Sequence, residues 1–352
     1  MIWLCEIGEN SMRWIDMHCD TLSEITKQKK ADENIQESLR KNHLSADIER
    51  LKRAEAAAQF FACYVNAADY KRDRWDSAYH DVLGMIGQAH DEAAAGRDFL
   101  IAEKAADIDT SEQAGEVPEM VAGVLTVEEG GVLNGHLSRL EVLYDRGVRL
   151  ITLTWNYENC IGSPNSRDSS IMQRGLTDFG FLVVERMNEL GMMIDVSHLS
   201  DGGFWDCIRY SRAPVTASHS NVRSLCRHPR NLSDDMLHAL GDRGGVAGIN
   251  FYSEFLRERR AAPADKTDAT ARASVEHIAD HAAWMIKKAG EDAVALGTDF
   301  DGFGPDSLPE GIRDVEDMAL IWEAMRKKGI TPRQIEKIAY GNVQRIIEEV
   351  WH

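Results

Sequence analysis

Histidine and carboxylate side chains that could bind a divalent metal ion occur in five short motifs along the sequence. Each motif ends a short run of mainly apolar residues. Imidazole and carboxylate groups suit Zn²⁺ or a similar divalent ion, and such an ion can activate a water molecule for hydrolysis. The side chains in question are His18 and Asp20, Glu129, His198, His219 and Asp299.

The number of these side chains indicates how many ions they could hold. Five of them, all except Asp299, are candidate ligands, which is too many for one four-coordinate zinc that keeps a position open for water. They fit two ions about 3.5 Å apart that share a bridging carboxylate, as in two-metal hydrolytic sites. His18 and Asp20 are predicted to bind the first ion, and His198 and His219 to bind the second. Glu129 is predicted to bridge the two ions.

The bridging position could be filled by either member of an adjacent pair, Glu128 or Glu129. Side chains alternate between the two faces of a strand, so the pair must point in opposite directions. Two glycines follow Glu129 and predict a tight turn at the strand end. This turn favours Glu129 as the bridge. The same alternation turns Cys19 away from the side chains of His18 and Asp20.

Each motif taken alone also allows an interpretation other than metal binding. A lone His-x-Asp tripeptide often arises by chance, and His198 or His219 taken alone could be a core or turn histidine. Two further histidines, His277 and His281, have the i, i+4 spacing used by zinc-binding helices. They lack the His-Glu-x-x-His signature and lie on a predicted outer helix, so we expect them to pack against or cap their neighbours.

Positioning these distant motifs together requires a fold in which several strand ends meet. Short apolar or β-branched runs alternate with longer amphipathic stretches, for example a predicted helix at 178–190, and this pattern predicts an α/β protein with a (β/α)8 TIM barrel. A doubly wound open sheet is the alternative. In a barrel the carboxyl ends of the strands converge on one mouth, where catalysis is built. The predicted strands span 14–20, 58–66, 120–129, 149–155, 192–198, 215–219, 245–250 and 293–300.

Length and composition narrow the class of protein. The 352 residues carry 40 Lys and Arg against 58 Asp and Glu, a net charge of −18, which disfavours nucleic acid or an anionic membrane as a partner. No apolar run approaches the ~18–20 residues of a transmembrane helix, and the N-terminus lacks the features of a secretory signal. Six cysteines without a CxxC pair indicate reduced thiols. We expect one cytoplasmic barrel domain over 1–352, with a weakly patterned extension at 1–12.

As a set, the motifs resemble those of the membrane (renal) dipeptidase family, peptidase family M19, in its soluble microbial branch. The resemblance runs from about residue 14 to the last helix. The motifs that carry it are DMHCDT at 16–21, EGG at 129–131, IDVSH at 194–198, SHS at 218–220, RNLSDD at 230–235 and GTDFDG at 297–302. It implies a distorted (β/α)8 barrel related to the amidohydrolases, with His18, Asp20 and Glu129 on one zinc and Glu129, His198 and His219 on the other.

The resemblance also assigns two residues outside the metal ligands. Asp299 matches the aspartate that acts as acid and base, and Arg230 matches the arginine that binds the carboxylate at the C-terminus of the substrate. A guanidinium is the natural bidentate partner of a carboxylate. The residues alone would leave Arg223 as an equal candidate.

One position departs from the family. Well-known members have a histidine where this chain has Trp155. An indole donates one hydrogen bond but carries no positive charge. We expect Trp155 to form a wall of the substrate pocket, with Asn156 or Asn159 supplying a polar contact.

The sequence therefore predicts a metallodipeptidase of the membrane dipeptidase type with two zinc ions. The resemblance implies that a D-residue is tolerated at the C-terminal position of the dipeptide and that the enzyme is a homodimer. A first alternative is a hydrolase of N-acyl amino acids or other small amides and esters, which the departure at Trp155 keeps open. A second is a metal-binding barrel without catalytic activity, although such a protein would not need Asp299.

Overall fold

The computed structural model describes residues 12–71, 73–108, 120–258 and 272–351. The predicted N-terminal extension lies outside these residues except for Met12. Within the described ranges, no helix is both long enough and apolar enough to cross a membrane.

Eight parallel strands close into a barrel, so the fold is a TIM barrel and not an open sheet. The order around the barrel is β2-β1-β9-β8-β7-β6-β5-β4, and the pairing of β4 with β2 closes it. A ninth strand, β3, pairs with the first half of β4 outside the ring. The strands are β1 Trp14–Cys19, β2 Ala56–Tyr64, β3 Phe99–Ile101, β4 Val121–Glu128, β5 Val148–Thr152, β6 Met193–Asp195, β7 Val215–Ala217, β8 Val246–Ile249 and β9 Val294–Leu296.

Helices connect the strands and cover the barrel. They are α1 Thr21–Ala31, α2 Ile48–Arg53, α3 Arg74–Ala94, α4 Leu137–Asp145, α5 Ser169–Met172, α6 Asp178–Leu190, α7 Asp201–Tyr210, α8 Asp234–Asp242, α9 Ser253–Leu256, α10 Val275–Ala289, α11 Met318–Lys327, α12 Pro332–Glu336 and α13 Asn342–Val350. Local signals set several ends. The Thr177 side chain accepts a hydrogen bond from Gly180 N at the start of α6, and Gly191 ends that helix at φ 73°.

Each predicted strand overlaps one barrel strand, but the predicted ends run too far. The last three strands that carry predicted site residues stop at Asp195, Ala217 and Leu296, two to four residues before the predicted ends. The polar residues beyond these points lie in turns. Two of them, His198 and Asp299, have φ values of 65° and 61°, a left-handed backbone conformation that does not continue a strand.

The core forms two layers, one inside the barrel and one between the barrel and its helices. Along β4, Ala122 and Val124 pack with the interior layer, whereas Leu125 and Val127 pack with the helix layer. Alternation therefore continues the interior row to Glu128, the last residue of the strand. This register directs the Glu128 side chain to the mouth of the barrel.

Candidate metal centre and substrate cleft

Ligand atoms from five strand ends converge at the mouth of the barrel. Among the residues that the structure describes, three overlapping sets of histidine and carboxylate groups have ligand atoms within 4.8 Å of one another. The sets are His18, Asp20 and Glu128; Glu128, His198 and His219; and His18, His219 and Asp299. The structure thus brings together all the predicted ligands except Glu129.

Glu128 lies between the two halves of the cluster. Its Oε2 is 3.5 Å from Nε2 of His18, and its Oε1 is 3.1 Å from Nε2 of His198 and 3.5 Å from Nε2 of His219. One carboxylate oxygen therefore faces each set, which is the arrangement that a bridging ligand requires.

The prediction of Glu129 as the bridge is wrong in this geometry. The backbone turns at Glu129, where φ is 108°, and its carboxylate points away from the cluster. It accepts hydrogen bonds from Gly131 N at 2.9 Å and Asn159 Nδ2 at 2.6 Å. The spacing of Thr126 and Glu128, two polar residues on one face of the strand, is the signal in the sequence that favours Glu128.

Unpartnered buried atoms indicate that the cluster fits a cation. Nδ1 of His18 and Oδ1 of Asp20 are buried without a hydrogen-bond partner among the described residues, and Nε2 of His18 lies 3.3 Å from Asp20 Oδ2 and 3.5 Å from Glu128 Oε2. Buried polar atoms without partners are costly, and a divalent ion would satisfy them. Burial opposes charge on His18, yet the carboxylates of Glu128 and Asp20 raise its pKa well above the ordinary value. The same carboxylates would stabilise a bound cation.

A hydrogen-bonded chain behind His219 orients its ring. Ser218 Oγ donates to Asp195 Oδ2 at 2.6 Å and lies 2.7 Å from His219 Nδ1. With its proton committed to Asp195, the hydroxyl oxygen accepts from Nδ1–H, so the lone pair of Nε2 is directed to the cluster. Burial, followed by the charge of His18, holds the pKa of His219 well below its usual range. His219 is therefore in the neutral form that binds metals.

The backbone of His198 is held in an unusual conformation by its neighbours. Its carbonyl oxygen accepts hydrogen bonds from Asn165 N at 2.7 Å and Asn165 Nδ2 at 3.0 Å. Its Nδ1 is 3.3 Å from Asn156 Oδ1, which can accept a hydrogen bond from Nδ1–H, and its Nε2 is 3.1 Å from Glu128 Oε1 and 3.0 Å from His219 Nε2. In the tautomer with the proton on Nδ1, Nε2 presents its lone pair to a metal ion held by these groups. Burial and the charge of Arg230 lower the pKa of His198 to about 4.

Asp299 lies beside the cluster and is suited to proton transfer. Its Oδ2 accepts a hydrogen bond from Asn250 Nδ2 at 2.7 Å, and its Oδ1 is 3.8 Å from His18 Nε2. Burial raises the pKa of Asp299 to about 8, and the charges of Asp20 and Glu128 contribute in the same direction. A carboxyl group with a pKa near neutrality can take and return a proton.

The structure distinguishes the two candidate arginines. Arg223 is engaged with Asp201, whose carboxylate accepts from both of its terminal nitrogens at 2.7 Å. Arg230 lines the cleft, and its Nη1 and Nη2 donate to Ser220 Oγ at 3.2 Å and His219 O at 3.0 Å. Its Nε is buried without a partner among the described residues. Arg230 is therefore the guanidinium available to an anionic ligand.

A cleft of about 860 Å³ opens over the cluster and extends away from it along α1. Arg230, Phe255 and Lys30 are among the residues that line it. Trp155 and Asn156 line the cleft, and the Trp155 ring packs against Tyr64 with centroids 5.0 Å apart. Trp155 therefore lines this cleft, and its contact with a substrate stays a prediction.

The two helix histidines set aside in the sequence have structural contacts. His281 is buried, accepts a hydrogen bond from Val222 N at 3.0 Å and lies 3.0 Å from Leu256 O. His277 Nδ1 lies 3.2 Å from Ser274 N at the start of α10. Both histidines therefore pack against or cap their neighbours, as predicted.

Comparison with known proteins points to one family. The family model described as "Membrane dipeptidase (Peptidase family M19)" matches residues 9–352. The chain is 35% identical over 264 residues to an uncharacterized protein in the pqqA 5′ region of Klebsiella pneumoniae, covering 73% of this chain and 91% of that one. It is 31% identical over 312 residues to an uncharacterized dipeptidase of Schizosaccharomyces pombe, covering 85% and 71% respectively.

Solved structures agree with these sequence matches. A metallopeptidase described as dipeptidase AC of family M19 superposes with a TM-score of 0.83 at 29% identity, covering 97% of this chain and 99% of that one. A metallopeptidase from Rhodobacter sphaeroides, liganded with a phosphinate mimic of the dipeptide L-Ala-D-Ala, superposes with a TM-score of 0.80 at 26% identity, covering 97% and 100%.

Proposed function

Since this chain belongs to the membrane dipeptidase family, peptidase family M19, we propose that it hydrolyses dipeptides with two zinc ions bound at the mouth of the barrel. The observation that carries this proposal is the position of Glu128, which directs one oxygen to each half of the ligand cluster. His18, Asp20 and Glu128 would hold one ion. Glu128, His198 and His219 would hold the other.

The bound metal would polarise the scissile carbonyl and lower the pKa of a water molecule. The residues of the chain supply the remaining functions. Asp299 takes the proton of the attacking water and returns it to the leaving amine, because its carboxyl group borders the cluster. Ser218 and Asp195 keep Nε2 of His219 unprotonated.

Arg230 sets the length of the substrate on the C-terminal side. Its guanidinium donates to the backbone oxygen of His219, itself a proposed metal ligand. A carboxylate bound there lies close to the metal centre, and one residue spans only about 3.5 Å. This spacing favours substrates with one residue after the scissile bond.

Tolerance of a D-residue at that position is part of the proposal. It is supported by the likeness to the Rhodobacter sphaeroides metallopeptidase, whose structure contains a mimic of L-Ala-D-Ala. The homodimer and the cytoplasmic location remain predictions. Light scattering of the purified protein would measure its oligomeric state, and microscopy of a tagged chain would measure its location in the cell.

One feature of the cleft favours a second class of substrate. The cleft follows α1 from Asp20 to Lys30, about 15 Å along the helix axis. An extended dipeptide spans only about 7 Å. A substrate with a long group on the N-terminal side of the scissile bond, such as an N-acyl amino acid, would use this extra length.

A panel of substrates tests the proposal and separates the two classes. The zinc-loaded protein is assayed with L-Ala-D-Ala, L-Ala-L-Ala, N-acetyl-D-Ala and N-octanoyl-D-Ala. We expect the dipeptides to have the highest kcat/KM. A higher kcat/KM for N-octanoyl-D-Ala than for the dipeptides would indicate instead that the enzyme hydrolyses N-acyl amino acids. Two bound metals with no turnover of any substrate would contradict hydrolytic activity.

A further inference from the structure

The carboxylate of Glu129 is buried beside the metal centre, yet the proposed mechanism does not use it. Its residue is 0% exposed and follows β4 directly. Its φ of 108° is uncommon for any residue except glycine. A carboxyl group in a strained, buried position needs compensating contacts, and burial raises the pKa of Glu129 to about 7.

Those contacts join two parts of the chain that are distant in sequence. Oε1 of Glu129 accepts from Gly131 N at 2.9 Å and from Asn159 Nδ2 at 2.6 Å, and Oε2 accepts from Trp155 N at 3.4 Å. All three partners are N–H donors. A carboxylate, which only accepts, satisfies them, whereas an amide in its place would direct N–H groups at N–H groups.

Asn159 extends this link through the segment 153–162, which we call the β5 loop. Its Nδ2 also donates to Leu153 O at 2.9 Å, and its Oδ1 accepts from Ile161 N at 2.8 Å and Gly162 N at 3.2 Å. The Glu129–Asn159 pair therefore ties both ends of the loop to the end of β4.

The β5 loop presents its other side to the substrate cleft. Trp155 and Asn156 line the cleft, and Asn156 Oδ1 lies 3.3 Å from Nδ1 of His198. Anything that fixes the loop thus fixes one wall of the cleft. It also fixes a hydrogen-bond partner of a proposed metal ligand.

We propose that Glu129 is a positioning residue that clamps the β5 loop, so that Trp155 and Asn156 face the substrate. This inference rests on the proposed function for its link to dipeptide binding. The clamp itself does not depend on which substrate is hydrolysed.

The test compares Glu129→Gln with two variants that carry the same chemical change. Glu158→Gln is the matched control, because Glu158 lies on the same loop but is exposed, and its carboxylate contacts Arg174 and the hydroxyl of Ser163. Glu128→Gln shows what loss of a proposed ligand does. For each protein we would measure metal content per chain, kcat and KM for a dipeptide, and amide hydrogen exchange across the β5 loop.

We expect Glu129→Gln to keep the metal content of the wild type, exchange faster across the β5 loop and raise KM about tenfold, the size of one lost hydrogen bond to a charged group. Its kcat should change less than its KM. Glu158→Gln should match the wild type in all three measurements, and Glu128→Gln should lose metal. If Glu129→Gln fails to fold, Asn159→Ala removes the main donor and should speed exchange in the same loop.

Three results would overturn the inference. Loss of metal in Glu129→Gln would indicate that Glu129 is a metal ligand. Unchanged hydrogen exchange across the β5 loop would show that Glu129 does not clamp the loop. An unchanged KM would show that the clamp does not affect substrate binding. If the wild type hydrolyses no dipeptide, the proposed function fails, and the exchange comparison still decides whether the clamp exists.

Discussion

Replacing Arg230 with methionine removes the proposed anchor for the substrate carboxylate while keeping a long side chain in the cleft wall. Arg230 is 5% exposed, and burial lowers the pKa of its guanidinium to about 10. It is charged at neutral pH but poorly hydrated, so an incoming carboxylate is its natural partner. The variant leaves the backbone oxygen of His219 without this donor.

The size of the effect follows from the bonds lost. A hydrogen bond to a charged group contributes about 1.5–3 kcal/mol, and a carboxylate can accept two from a guanidinium. Loss of about 3–4 kcal/mol corresponds to a fall of roughly 10²–10³-fold in kcat/KM. We expect most of this fall in KM, because the carboxylate is bound before and during the reaction.

The assay compares a dipeptide with its C-terminal amide, which lacks the carboxylate. The wild type should prefer the free acid by a similar factor, and Arg230→Met should hydrolyse both at comparable rates. Arg223→Met is the matched control, because Asp201 already engages that side chain. It should retain the preference. An Arg230→Met variant that still prefers the free acid would refute the assignment.

Further predictions concern the proton carrier, the metal and the pH dependence of stability. Asp299→Asn should lower kcat about 10²–10⁴-fold with metal content unchanged, and near-wild-type kcat would exclude the acid and base role. Removal of metal with a chelator should abolish activity and lower the Tm, and added Zn²⁺ should restore both; a Tm that does not respond to chelation and zinc would argue against a metal bound by the folded chain. Burial lowers the pKa of His281 to about 4 from the usual 6.5, so the unfolded chain takes up this proton first as the pH falls. The free energy of unfolding should therefore decrease between pH 6.5 and 4, by about 3 kcal/mol in all. His281→Gln should lose less stability than the wild type between pH 7 and pH 5 in chelator, measured by urea denaturation, and an equal loss would contradict this origin.

The sequence was sufficient to predict the barrel because its strands are short apolar runs between amphipathic helices. It was also sufficient to identify His18, Asp20, His198 and His219 as side chains that meet, because parallel strands in a barrel end at one mouth. The strand β3, Phe99–Ile101, was not predicted; it lies outside the barrel ring and pairs with the first half of β4.

The choice between Glu128 and Glu129 shows why the rest of the site was harder to predict. Both faces of β4 are buried, so the apolar pattern does not reveal which face is the interior. The choice depended instead on the two glycines after Glu129. The structure shows that the turn begins at Glu129 itself, where the positive φ redirects the side chain toward Asn159.

Backbone turns at the strand ends also explain how the site is assembled. His198 and Asp299 adopt positive φ in the loops after β6 and β9, and hydrogen bonds from Asn165 and to the backbone of His18 hold them there. Such strain is maintained by the surrounding structure and is common at functional sites. Sequence periodicity carries no information about these turns.

In the proposed metal centre, Glu128 bridges two metal ions at the mouth of the barrel. A crystal structure of the zinc-loaded protein, with anomalous data at the zinc edge, tests it most directly. We predict two anomalous peaks about 3.5 Å apart, each about 2.0–2.2 Å from a different oxygen of Glu128. A single peak, or two peaks joined by the carboxylate of Glu129, would contradict the account.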